Sequence, residues 1–171
     1  VSWLRIRTAF SSLLLLAAMT KAAPGQSATT ATFDDWVVRC QVTDTGKICE
    51  STSAVNVKTS SGTIAQAASI VIGQLPGEPK SKILVQLPLG VWLPSGVRLL
   101  DETKKEIASL QYTQCQGGGC FAVADVDGAV LDVIGRLNES LLIAYVAQNQ
   151  NVHVQVSIKG YAAAEKARRG G

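Results

Sequence analysis

Few side chains in this 171-residue chain could do chemistry, and they can be tested one by one. His153 is the single histidine. A nucleophilic triad would need it beside a serine or cysteine, with an acid to orient the ring. No serine stands in a Gly-x-Ser-x-Gly frame, and His153 falls on the polar side of an alternating run, so a solvated histidine is expected. Asp125, Asp127 and Asp132 with Gly128 suggest a calcium loop. Such a loop wants glycine sixth and glutamate twelfth. Counted from Asp125, Gly128 is fourth and Arg136 twelfth, so the acids read as a turn, with Asp127 free to cap the helix that follows. Asp34 and Asp35 are adjacent in a strand-like run and would point to opposite faces, which rules out a cooperating carboxylate pair. Gly117 to Gly119 lack the lysine of a phosphate-binding loop. No catalytic residue, metal site or cofactor is expected, and the chain reads as not an enzyme.

Cysteine carries the clearest signal. Cys40, Cys49, Cys115 and Cys120 form an even set, as in a protein oxidised outside the cytoplasm. Three pairings are possible, and pairing of neighbours fits best. Cys40 and Cys49 flank Asp44-Thr45-Gly46, a turn signal between two strand-like runs. Cys115 and Cys120 bracket Gln116 and three glycines, which let the chain fold back without Cβ clashes. Closing each short loop contributes about 2–3 kcal/mol through lost chain entropy. A four-cysteine zinc site would present a tight knuckle on each side, and only the second pair is that close. Neither pair is the Cys-x-x-Cys of a redox centre.

The elements that must hold these residues are short and β-rich. Phe33–Cys40 reads as a first strand. Lys47–Lys58 reads as a second, with Ile48, Val55 and Val57 as candidates for burial. Ala67–Gln74, Lys82–Leu87, Val97–Leu100, Glu106–Cys115 and Cys120–Val126 follow, separated by turn residues. Ala129–Leu137 has Val130, Val133, Ile134 and Leu137 on one helical face and reads as a short helix. Leu141–Ala147 and Val152–Ile158 are two further strands; the second places Val152, Val154, Val156 and Ile158 inward. Tyr161–Arg169 reads as a closing helix that frays into two glycines. The expected fold is mostly β: a single-domain antiparallel β-sandwich or barrel-like roll with one or two short helices.

Leu87–Val97 stands apart, with Leu-Pro-Leu-Gly-Val followed by Leu-Pro-Ser-Gly-Val and Trp92 between them. Prolines this dense exclude a central strand. The expectation is an ordered loop pinned to the core by a buried Trp92. The alternative is a surface wedge that offers Trp92 to a partner.

The amino-terminal end has the three-part layout of a secretory signal. Arg5 and Arg7 precede the uncharged Ala9–Met19, and small residues follow. The apolar run falls short of the roughly 20 residues that cross a bilayer, so no stable membrane span is expected after cleavage. Cleavage after Ala22 or Ser27 suits the small-residue rule. Residues 1–28 are read as signal peptide and short linker, and residues 29–171 as a single β-rich domain whose ordered part opens at Phe33. Of sixteen basic and thirteen acidic residues, Arg5, Arg7 and Lys21 leave with the signal, so thirteen of each sign remain. Lys166, Arg168 and Arg169 sit at the carboxyl end, which leaves the body slightly acidic. Nothing there would attract nucleic acid.

Taken in order, Trp36-x-x-x-Cys40, Cys49, the Leu87–Val97 segment, Tyr112-x-x-Cys115 with Gly119-Cys120, and Ser157-Ile-Lys-Gly-Tyr161 resemble the invasion-associated locus B family of exported proteins of Gram-negative bacteria. The resemblance spans about Phe33 to Ala167. It implies a small, mostly β, disulfide-bearing periplasmic or secreted protein, without catalytic residues to carry over. It further implies an unidentified protein partner, or a partner on the envelope or host surface. A periplasmic small-ligand or envelope-stress module, with a pocket inside the β structure, is the second reading. A hydrolase with an unrecognised site is the third.

Overall fold

The structure, a computed structural model, describes residues 28–170; the expected signal lies, apart from Ala28, outside the described residues. The chain opens with three strands, β1 (Ala28–Phe33), β2 (Trp36–Thr43) and β3 (Gly46–Lys58). β1 and β2 occupy the stretch read as one strand. Asp34, with φ at 48°, breaks it into a hairpin, so the two aspartates lie in a turn and not in a strand. Asp34 then reaches Lys159, at 3.5 Å. β4 (Ile64–Gly73), β5 (Ser81–Leu87), β6 (Val97–Leu100), β7 (Glu106–Gln116) and β8 (Gly119–Val126) follow, then α1 (Gly128–Ile134), β9 (Ser140–Ala147), β10 (Gln150–Ser157) and α2 (Tyr161–Arg169).

The strands form one antiparallel sheet in the order β1-β2-β3-β4-β5-β8-β7-β6-β9-β10. Of the two expected architectures the roll is correct. The sheet curls into a half-barrel, bringing its last strand round toward its first hairpin. There the Trp36 indole N–H donates to the Ser157 carbonyl at 2.9 Å. The concave face is filled by Trp36, Ile70, Ile72, Ile83, Val85, Leu99, Leu110, Ile143 and Val156. Tyr161 from α2 meets Trp36 edge-on, with ring centroids 5.0 Å apart, a favoured aromatic geometry. Gly160, at φ 87°, starts α2 so close to the Phe33 carbonyl that any Cβ would clash.

Cysteine parity decides which β3 residues face inward. Cys40 and Cys49 are directly opposite in register, so Cys49, Ser51 and Ser53 point to the core. Val55 packs against that core, but Ile48 is on the other face. Val57, expected to be buried, lies beyond a register shift at Val55/Asn56 and is exposed. On α1 the expected face holds for Val130, Ile134 and Leu137, which are buried or pack against the core, but not for Val133. Asp127 caps the helix by accepting from the Val130 N–H, as foreseen, and the helix ends at Ile134. Leu131 and Ile134 are the buried pair, while Val133 is exposed.

α2 spans the expected residues, and its basic end packs into the body. Glu165 and Arg168 are buried, and the Arg168 guanidinium donates to both carboxylate oxygens at 2.7 and 2.8 Å. Arg169 adds a third bond to the same acid at 2.6 Å. These positive charges belong to the folded body and are largely spent within it.

Candidate functional site

The sulfur pairs join neighbours: Cys40 to Cys49 and Cys115 to Cys120. Both members of the first pair are buried; in the second, Cys120 is buried and Cys115 is exposed. Each bridge links two strands of a hairpin. Among the described residues, no group of three His, Cys, Asp or Glu side chains could hold a metal ion. His153 is exposed on β10, as its place in the alternation required. The buried Tyr112 hydroxyl has no partner, and burial, with Tyr145 nearby, pushes it up to about 12.

What the fold does build is an ordered apolar loop. β5 ends at Leu87, which is buried, and the chain then crosses to β6. Val91 forms a bridge with Ala147, and the Trp92 N–H donates to the Val146 carbonyl at 2.8 Å. A single 3-10 turn, Leu93–Ser95, follows with Pro94 near its start. The Ser95 hydroxyl bonds back to the Trp92 carbonyl at 2.7 Å. Gly96, at φ 62°, closes the turn where a Cβ would come within 2.8 Å of the Leu110 carbonyl.

These backbone bonds overturn the expectation that Trp92 is buried. Bridging fixes Val91 toward the core, against which it packs, so Trp92 must point away. Trp92 is 59% exposed, Leu89 59% and Leu93 48%. The loop is held by its main chain, and its large side chains are left in solvent.

Charge distinguishes this end of the sheet from the other. Between Lys82 and Arg98, Glu106 and Asp125, and Glu139 and Lys159 the sequence has no Asp, Glu, Lys or Arg. Strand register brings the middles of these stretches together: the end of β5, the β7–β8 tip with its disulfide, the start of β6 and the β9–β10 turn. Lys58, at the close of β3, shares this end, while Asp101, Glu102, Lys104, Lys105 and Glu139 lie at the opposite one. There the Glu102 carboxylate accepts from the backbone N–H groups of Asn138, Glu139 and Ser140, and these bonds, Glu139 first, hold it below the usual glutamate range. Sequence reasoning singled out Trp92 but passed over the three charge-free stretches, which were visible as plain spacing. Beside the loop is a cavity of about 150 Å³, lined by residues that include Ser95, Arg98, Asn151 and His153.

Comparison with known proteins identifies the fold and the family. The solved crystal structure of invasion associated protein b from Bartonella henselae superposes with a TM-score of 0.65, covering 83% of this chain and 95% of that one, at 17% identity. At that identity the likeness speaks for the fold alone. No curated protein matches the sequence. The sequence model described as Invasion associated locus B (IalB) protein matches residues 36–169, from the tryptophan that anchors the curl to the last residue of α2. The chain therefore belongs to the invasion associated locus B family.

Proposed function

We propose that the protein is exported behind a cleaved amino-terminal signal and acts without catalysis, by contact through the charge-poor end of its sheet. The partner is a protein or surface component of the envelope or of a host cell. One observation carries this reading: Leu89, Trp92 and Leu93 are exposed together on a loop that the backbone holds in place. Exposed apolar patches on ordered elements mark contact surfaces, and tryptophan dominates the energetics of many of them. Export is supported by the signal layout of residues 1–28 and by two disulfides, which persist in oxidising compartments. Among the described residues no helix is long and apolar enough to cross a membrane. An internal ligand pocket finds less support, since the concave face is filled by side chains.

A photo-reactive phenylalanine analogue placed at Leu93 should capture an envelope or host-cell component from intact cells. The same probe at Thr45, exposed at the opposite end, should not. Equal capture at both positions would refute the assignment of the contact surface.

A further inference from the structure

We propose that the cavity beside the Trp92 turn binds one terminal, carboxylate-bearing sugar. This rests on the contact reading above and names the chemistry of the partner. The cavity, about 150 Å³, is roughly half the ~300 Å³ at which small-ligand pockets usually begin, so it has room for a single ring and not for a chain.

Its lining is polar in a particular way. Arg98 is exposed on β6, and its guanidinium, like those of Arg39 and Arg136, forms no ion pair among the described residues; unlike them it lines this cavity. It is the only Asp, Glu, Lys or Arg among the residues that line the cavity, and Lys104 lines the neighbouring one with His153. A planar fork of donors without an acid matches one carboxylate, bound through two parallel bonds. A phosphate, with its higher charge, would call for more than one cation. Asn151 and His153 line the same space from β10 and offer a carboxamide and an imidazole to hydroxyl or acetamido groups. The Ser95 hydroxyl spends its proton on the Trp92 carbonyl and keeps lone pairs to accept from a ligand hydroxyl.

Trp92 does not line the cavity itself, but its backbone bond to Val146, which does, holds its main chain beside it. The electron-rich face of an indole suits the C–H face of a sugar ring. A lipid surface would use the exposed leucines, but it would have no need of Arg98, Asn151 and His153 in one cavity.

The test titrates the protein, both disulfides formed, with glucuronic acid, N-acetylneuraminic acid, glucose and acetate, read by saturation-transfer NMR. The acidic sugars should bind with dissociation constants on the order of millimolar, and glucose and acetate at least about tenfold more weakly. Arg98→Gln should bring the acidic sugars down to the level of glucose. Trp92→Ala should weaken acidic and neutral sugars alike. Both residues are exposed, and unchanged near-ultraviolet circular dichroism will verify folding.

Acetate binding as well as the acidic sugars would overturn the proposal, as would an unaffected Arg98→Gln variant. So would a Trp92→Ala defect seen only with phosphatidylcholine vesicles. If capture from Leu93 persists while no sugar binds, the sugar site is wrong and the contact surface stands. Host glycans and envelope polysaccharides both carry such termini. Competition by free glucuronic acid against binding to mammalian cells, and separately to isolated lipopolysaccharide, distinguishes the two sources.

Discussion

Removing the Glu165 carboxylate should destabilise this protein far more than removing any other charge on α2. The side chains of Arg168 and Glu165 are only 3% and 9% exposed, and the acid answers Arg168 at two oxygens and Arg169 at one. Glu165→Ala would leave Arg168 buried with only a 3.4 Å contact to the Ser81 hydroxyl. Breaking a buried pair from one side costs about 3–5 kcal/mol, because the remaining charge is uncompensated. Domains of this size are stable by about 5–15 kcal/mol, so about a fifth or more of the total is at stake. The double variant Glu165→Leu with Arg168→Met should recover most of that loss. Arg169, half exposed, can turn to water. Lys166→Ala, at an exposed position, should stay within about 0.5 kcal/mol of the parent. Urea denaturation followed by tryptophan fluorescence measures all three. If Glu165→Ala costs less than about 1 kcal/mol, both arginines reach solvent and the closing helix is not buried as described.

Three further outcomes follow from the same geometry. Trp36→Phe keeps an aromatic ring against Tyr161 but removes the donor to Ser157, and should cost about 1–3 kcal/mol in the same denaturation assay; no loss would mean that this bond does not hold the curl closed. Folding lowers the Glu102 and Asp101 carboxyls from their ordinary 4.5 and 3.8, so their stabilisation is complete above those values and fades as pH falls through the depressed ones; Glu102→Gln should flatten the acid limb of a thermal-midpoint profile below about pH 4.5, and an unchanged limb would contradict this. Mild reductant without denaturant should open Cys115–Cys120 before Cys40–Cys49, since only Cys115 is exposed among the four sulfur-bearing residues; alkylation and peptide mapping read the order, and simultaneous opening would refute it.

Much of the fold was legible because its signals are local. Alternation placed most of the strands to within a few residues, and turn chemistry paired the cysteines with their neighbours. The limits of α2 follow from the glycines on either side of it. What escaped depends on long-range register. The Val91–Ala147 bridge, between residues far apart in the chain, turns Trp92 outward, and composition alone argues for burial of so large a ring. Burial of Arg168 depends on α2 docking near β5, where Ser81 lies, which no pattern within the helix announces. On α1, periodicity found Val130, Ile134 and Leu137 but took Val133 for Leu131. Two turns of helix allow more than one apolar face, and docking chose Leu131 and Ile134. The charge-poor end was readable as three charge-free stretches, but only the sheet order shows that they converge.

The contact surface is tested most directly by comparing the affinity of the parent protein and of Trp92→Ala for intact mammalian cells and for isolated bacterial outer membranes. Loss of a central tryptophan from an interface typically costs 2 kcal/mol or more, so binding to one of the two surfaces should fall at least about thirtyfold while the unfolding midpoint stays unchanged. Equal binding by the two proteins, on both surfaces, would contradict the assignment.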